Sequence, residues 1–333
     1  MKIGILGSGM IVPTHADTVK LVDGVEDVAI CCRVHSVDKA NELAKKYDLK
    51  WVYTDYDEML ANPEIDAIYV ALPNHLHYEM SLKALRAKKY VICEKPFTTT
   101  LNEAKHLFEV AKENGVMIWE AITTIYLPNF LDIKKNLGMI GDVKIVQSNY
   151  SQYSSRYDNF KKGIIMPAFD PACCGGSLMD INIYNLHMVC GLFGRPSEVK
   201  YLANVENGID TSGMVTLSYP NFQAVCIGAK DCGAPGGTQI QGTLGMMRSL
   251  TPPFICESYQ WQLNKQELHE ENKNDSKMRM KYELIAFEKM FREQDYNLYE
   301  EVSNHTLTVV EVAQLARRDV NILFEPDKKE VTL

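Results

Sequence analysis

Apolar and polar positions follow two rhythms along the chain, and the change falls near Ala121. Before it, short apolar runs alternate with helix-compatible stretches. The runs Lys2–Leu6, Val28–Cys32, Trp51–Tyr53, Ala67–Leu72, Tyr90–Cys93 and Val116–Glu120 read as strands. Between them, His15–Val22, Asp38–Tyr47, Tyr56–Ala61, His77–Ala87 and Asn102–Asn114 carry apolar residues at helical spacing. Ala67–Leu72 is almost continuously apolar, as in a strand covered on both faces. Strict β-α alternation of this kind predicts a doubly wound parallel sheet.

After Ala121 the period shortens. Val143–Tyr153 alternates as a half-exposed strand, Met214–Tyr219 and Ala224–Ala229 flank Pro220-Asn221-Phe222 as a hairpin, and Thr238–Gly242 and Gln260–Leu263 offer further strands. The charged stretch Asn264–Lys281 reads as a solvated loop entering a helix, and His305–Leu323 as an amphipathic closing helix able to pack back on the first domain. The expectation is an α/β protein with two domains, 1–121 with a parallel sheet and 122–333 with a large open, mostly antiparallel sheet. A length of 333 residues agrees with two cores of ~150 residues.

Composition adds exclusions. A net charge of -8 disfavours nucleic acid or an anionic membrane as partner. The apolar N-terminus is broken by Gly4, Gly7 and Gly9 and runs into Pro13, so it reads as strand plus turn rather than as a leader. Nine cysteines without a C-x-x-C spacing point to buried free thiols in a reducing cytoplasm, with no metal site.

The first strand runs straight into Gly7-Ser8-Gly9. Gly7 permits a tight turn, and Gly9 lets the backbone approach a pyrophosphate lying at a helix N-terminus. Val12 holds the third small-residue position of that fingerprint. About twenty residues further on, where an acidic side chain would read a free ribose hydroxyl, stands Arg33, with no Asp or Glu beside it. A guanidinium matches a 2'-phosphate, so NADP is expected over NAD, with NAD possible.

Two further constellations carry chemistry. Glu94-Lys95-Pro96 ends the fifth strand, on the edge where open α/β sheets bind ligands. In Gly175-Gly176-Ser177-Leu178-Met179-Asp180, a continuing helix would place Asp180, Tyr184 and His187 at i, i+4 and i+7, on one face. That face is either a proton-handling surface or a core helix with a satisfied tyrosine and histidine.

Taken together, Gly7-Ser8-Gly9 with His15, Pro73-Asn74-His75-Leu76-His77, Glu94-Lys95-Pro96, and Gly175-Gly176 leading to Asp180 and Tyr184 resemble the Gfo/Idh/MocA oxidoreductases over nearly the whole chain. Tyr184 and Trp119-Glu120-Ala121 are similar to the dihydrodiol and xylose dehydrogenase branch, whereas Thr123 and Ile125 depart from it and Asn182 replaces a usual glycine. The resemblance implies a Rossmann domain and a C-terminal α/β domain whose open sheet serves dimerisation, in a homodimer or dimer of dimers. It implies a nicotinamide cofactor contacted by Gly7, Ser8, Gly9, Met10, Ile11, Arg33, Leu72, Pro73, Asn74, His77, Glu94 and Lys95.

The expected reaction is hydride transfer between nicotinamide and a sugar, polyol or related secondary alcohol. Tyr184 is expected as acid/base with Lys95 as electrostatic partner, or the reverse, both meeting one nicotinamide face. Asp180 would orient Lys95 or a substrate hydroxyl. Asn182 would shape the pocket floor, and His187 would bind a hydroxyl or serve as alternative base. The competing function is a nucleotide-sensing regulator of the same fold without turnover.

Overall fold

The computed structural model describes residues 1–331. They form two compact units, Met1–Ala121 with Met280–Thr306, and Ile122–Arg279 with the residues from Leu307 onward.

In the first unit, β1 (Lys2–Leu6), β2 (Glu26–Cys31), β3 (Trp51–Tyr53), β4 (Ala67–Val70), β5 (Tyr90–Glu94) and β6 (Ile118–Ala121) make one parallel sheet in the order β3-β2-β1-β4-β5-β6. Chain order reverses between β1 and β4, the switch point at which such sheets open a crevice for ligands. The crossover helices start and stop on local signals. Asp55 caps Tyr56–Ala61, Thr100 and Glu103 form a reciprocal capping box for Leu101–Asn114, and Gly115 closes that helix at φ +68°.

Met280–Thr306 departs from the division at Ala121 read from the sequence. Aromatic packing explains it: Phe287 stacks on Trp119 at 5.4 Å, Phe291 meets Tyr90 edge-on at 4.9 Å, and Thr306 donates to the buried Glu120 carboxylate at 2.9 Å. Trp119 sits one residue before that glutamate on β6, so its partners had to come from another segment. The expected closing helix also begins earlier, at Tyr296, and ends at Asp319.

The second unit holds β7 (Val143–Ser151), β8 (Glu198–Glu206), β9 (Ile209–Ser218), β10 (Gln223–Ala229), β11 (Gly237–Gly242), β12 (Gly245–Ser249), β13 (Tyr259–Leu263) and β14 (His269–Glu271). Their order is β14-β13-β12-β11-β7-β10-β9-β8, and every pairing is antiparallel except β7 with β10. The hairpin expected around Pro220-Asn221-Phe222 is present as β9–β10, with Ser218 opposite Gln223.

A π-turn over Leu178–Asn182 and the α-helix Ile183–Phe193 cover one face of this sheet. Gly228 permits the contact, because a Cβ there would strike Asn182. The opposite face exposes Ile145, Leu202 and Met214. No helix among the described residues is long and apolar enough to cross a membrane.

Candidate functional site

On the carboxyl edge of the first sheet, the chain leaves β1 through Gly7 at φ +118°, and the Gly7 amide donates to the Cys31 carbonyl at 2.8 Å. A Cβ on Gly7 would collide with the Ala71 carbonyl, so only glycine fits. At Gly9 the nearest atom to a Cβ would be 3.9 Å away, leaving the backbone open. The helix Ile11–Val19 follows with no acidic residue in its first turn, and Met10 ahead of it is exposed. Bare backbone leading into a helix N-terminus suits a phosphate, and these residues fit a dinucleotide. Arg33 is exposed just beyond β2, in extended conformation, with no carboxylate between it and Ser36.

After β4, Leu72 and Pro73 lead into a short 3-10 turn at Asn74–Leu76. His77 was expected to contact the cofactor. Instead it is completely buried as a strut, its ring nitrogens 2.8 Å from the Leu72 carbonyl and 2.9 Å from the Pro96 carbonyl. It joins the loops after β4 and β5. Burial pushes the imidazole down from its ordinary 6.5, against the pull of the two carbonyls.

Glu94 is held by a layered set of contacts. Its carboxylate accepts from the Tyr69 hydroxyl and from the Lys95 amide at 3.2 Å. Tyr69 stacks on His15 at 3.9 Å, and His15 in turn contacts Asp27 at 3.1 Å. The Lys95–Pro96 peptide is cis, and the Phe97 amide donates to Glu120 at 3.1 Å. Lys95 therefore leaves a backbone fixed on both sides, its side chain half-buried.

In the second unit, Gly176 has φ +106°, and a Cβ there would overlap the Asp210 carboxylate. Asp210 is buried and accepts from the Leu178 amide at 2.6 Å and from the Tyr201 hydroxyl at 2.7 Å, which fixes the start of the π-turn. Burial raises its carboxyl above the usual range. The wider π-turn alters the helical phase assumed from the sequence, a feature common at functional sites.

Asp180 keeps 30% of its side chain exposed, and its Oδ2 lies 2.7 Å from the ammonium of Lys230, which is 2% exposed. Tyr184, half-buried, packs against Phe254 at 4.9 Å and Tyr150 at 6.1 Å, and Arg279 covers Phe254 at 4.7 Å. Two expectations are corrected here. Asn182 has no exposed surface, because its amide faces the sheet and donates to the Cys226 carbonyl at 3.1 Å. His187 is likewise wholly buried. Neither has surface for a substrate.

Sequence reasoning missed Lys230, Asp210, Tyr201 and Phe254. The only signal for Lys230 was a lone cation ending the apolar run Ala224–Ala229.

A six-stranded dinucleotide-type sheet with a glycine turn, joined in one chain to an eight-stranded sheet covered by a π-turn and a helix, is the architecture of a two-unit nicotinamide-dependent oxidoreductase. The chain belongs to the Gfo/Idh/MocA family: residues 1–122 match its oxidoreductase, NAD-binding Rossmann fold domain and residues 136–248 its C-terminal domain. It is similar to scyllo-inositol 2-dehydrogenase (NADP(+)) IolU of Bacillus subtilis, 33% identical over 98% of this chain and 99% of that one. Pig trans-1,2-dihydrobenzene-1,2-diol dehydrogenase is 26% identical over 76% of this chain and 75% of its own.

Among solved structures, the 3-ketoreductase KijD10 of Actinomadura kijaniata in complex with NADP superposes with a TM-score of 0.81 at 21% identity, over 96% of this chain and 97% of that one. A levoglucosan dehydrogenase complex gives 0.79 at 16%, over 96% and 97%. The chain is an NAD(P)-dependent enzyme of the dehydrogenase/reductase class.

The His77 strut has a pH signature. Its folded-state pKa lies below the unfolded value, so the unfolded chain binds the extra proton and this contribution to stability is lost as pH falls below about 6.5. Denaturant unfolding of wild type and His77→Gln across pH 5 to 8 should show the wild-type advantage intact at the alkaline end and shrinking on acidification. A pH-independent difference would mean the imidazole titrates alike in the folded and unfolded chains, and an advantage that grows on acidification would mean it is protonated in the fold.

Proposed function

We propose that the protein interconverts a secondary alcohol and ketone on a cyclic polyol or sugar, with NADP as the preferred cofactor. The observation that carries this reading is the pair Asp180 and Tyr184: a partly exposed carboxylate already held by a buried cation, one helical turn before a phenol set among aromatic rings. An acceptor and a proton-carrying hydroxyl are what a carbinol needs. The names of the relatives, an inositol, a diol and an anhydrosugar dehydrogenase, support a hydroxylated ring as substrate.

The nicotinamide, when bound, supplies or takes the hydride. The turn Gly7, Ser8, Gly9, Met10, Ile11 offers backbone to the phosphates, Arg33 a fork to the 2'-phosphate, and Leu72, Pro73, Asn74, Glu94 and Lys95 line the same sheet edge. Asp180 accepts a hydrogen bond from a substrate hydroxyl. The hydroxyl proton is handled by Tyr184 and Lys95, either of which serves as acid/base while the other supports it. The deciding experiment follows reduced-nicotinamide absorbance with NADP or NAD across inositols, pyranoses and anhydrosugars. Turnover of a ring polyol with NADP is expected, and no turnover with any member would favour a nucleotide-sensing role.

The exposed Ile145, Leu202 and Met214 lie on the uncovered sheet face, and a patch of this kind suits a second copy of the chain. Sedimentation should report a dimer that Met214→Lys weakens; a monomer at micromolar concentration would remove the assignment.

Lys95→Met should lower kcat by at least ~100-fold, as for loss of a positioned proton-handling group, with NADP affinity held within a few-fold by fluorescence titration. Unchanged turnover would exclude the lysine from the chemistry. Arg33→Glu should cut the NADP-over-NAD ratio of kcat/KM by ~10–100-fold, the worth of one charge-assisted phosphate contact. An unaltered ratio would locate 2'-phosphate recognition elsewhere.

A further inference from the structure

Lysine is among the residues least often fully buried, and a buried ion pair exchanged as a pair for apolar residues of similar volume often leaves stability unchanged. Lys230 nevertheless keeps only 2% of its side chain exposed. Stability alone gives no reason for a cation there, so its contacts indicate its use.

The backbone of Lys230 is fixed first. Its amide donates to the Thr211 carbonyl at 2.8 Å, and its carbonyl accepts from the Ser154 amide at 2.9 Å, just past the end of β10. The side chain therefore starts from a defined point. Its ammonium donates to the Ala168 carbonyl at 2.8 Å, lies over the Phe169 ring at 4.2 Å from the centroid, and meets Asp180 Oδ2 at 2.7 Å. Ala168 and Phe169 belong to the strap that lies against the backbone of Gly175, where a Cβ would collide with Pro167 and Ala168. One buried charge thus joins three segments: the end of β10, the strap, and the π-turn.

Of the side chains that meet this ammonium, Phe169 is buried and Asp180 keeps 30% of its surface exposed. A carboxylate with one oxygen 2.7 Å from a buried ammonium cannot rotate freely, and part of its surface still faces solvent. We infer that Lys230 is a positioning residue: its buried ammonium holds Asp180 charged and oriented toward the substrate hydroxyl. This rests on the functional reading of Asp180 given above and adds the group through which that carboxylate is set. Lys230 does not itself touch the substrate.

The test is a double-mutant cycle on the whole protein, using the panel alcohol turned over fastest and NADP. Lys230→Met should reduce kcat/KM for the alcohol by about 100-fold, the scale of an ångström-level misplacement, while the dissociation constant for NADP stays within about two-fold. Lys230→Arg, which keeps the charge, should recover at least a tenth of wild-type kcat/KM. In an Asp180→Asn background, Lys230→Met should add less than about two-fold, because its route of action is already gone.

Thermal melts separate folding from positioning. Should Lys230→Met fail to accumulate as folded protein, Lys230→Gln, an uncharged donor, takes its place in the same comparison. Activity of Lys230→Met within about three-fold of wild type would overturn the proposal, and so would a loss that multiplies fully with Asp180→Asn, which would mark a purely structural clamp. An active Asp180→Asn would instead overturn the reading of Asp180 and this proposal with it; an inactive Asp180→Asn beside an active Lys230→Met defeats only the positioning role.

Discussion

No side chain fits between the end of β1 and the Ala71 carbonyl, and that steric exclusion shapes the nucleotide edge. Gly7 must pass there at positive φ, and its amide is taken by Cys31. With β1, β2 and the exit of β4 drawn this close, the turn at Gly9 stays bare of side chains and the following helix offers its amides. A phosphate is met by backbone, whose dipoles cannot be tuned by exchanging one residue for another. Selectivity has to come from side chains added at the rim, which is where Arg33 stands. The second loop pair is braced differently. His77, buried between the carbonyls of Leu72 and Pro96, fixes the loop after β5 against the loop after β4, so Lys95 leaves a backbone held by packing and hydrogen bonds alike.

The second unit solves the opposite problem, presenting charge rather than backbone. Asp210 and Lys230 are both buried, and each would be costly alone. Asp210 is compensated by Tyr201 and the Leu178 amide, and Lys230 by Asp180, the Ala168 carbonyl and the Phe169 ring. The π-turn lies between these two buried charges. Its start is fixed through Asp210 and its middle through Asp180, so the wide turn is tied at two points.

The parallel half of the fold was legible because its strands are apolar throughout and its helices carry caps written in adjacent residues, such as Thr100 with Glu103. Glycine turn, Glu94-Lys95-Pro96, Asp180 and Tyr184 were legible for the same reason: their chemistry depends on residue type at short spacing. What failed depended on tertiary partners. β8 escaped notice because, at the sheet edge, only Tyr201 of its nine residues is buried and little alternation survives. The membership of Met280–Thr306 in the first unit rests on Phe287 finding Trp119, a contact between residues far apart in the chain. Helical spacing put His187 on the reactive face and the resemblance put Asn182 at its floor, and neither signal contains the packing that buries both.

Lys230 shows the deeper limit. A lysine following an apolar strand reads as a solvent anchor, and nothing within ten residues of it names Asp180 or Phe169 as neighbours. Close to it, Gly228 lets Asn182 approach the sheet and brings the π-turn down onto β10. A larger residue at position 228 would lift the π-turn, lengthen the separation between ammonium and carboxylate, and admit water to both. The ion pair thus depends on close packing two residues away, and Asp180 carries that buried contact to a partly exposed carboxylate.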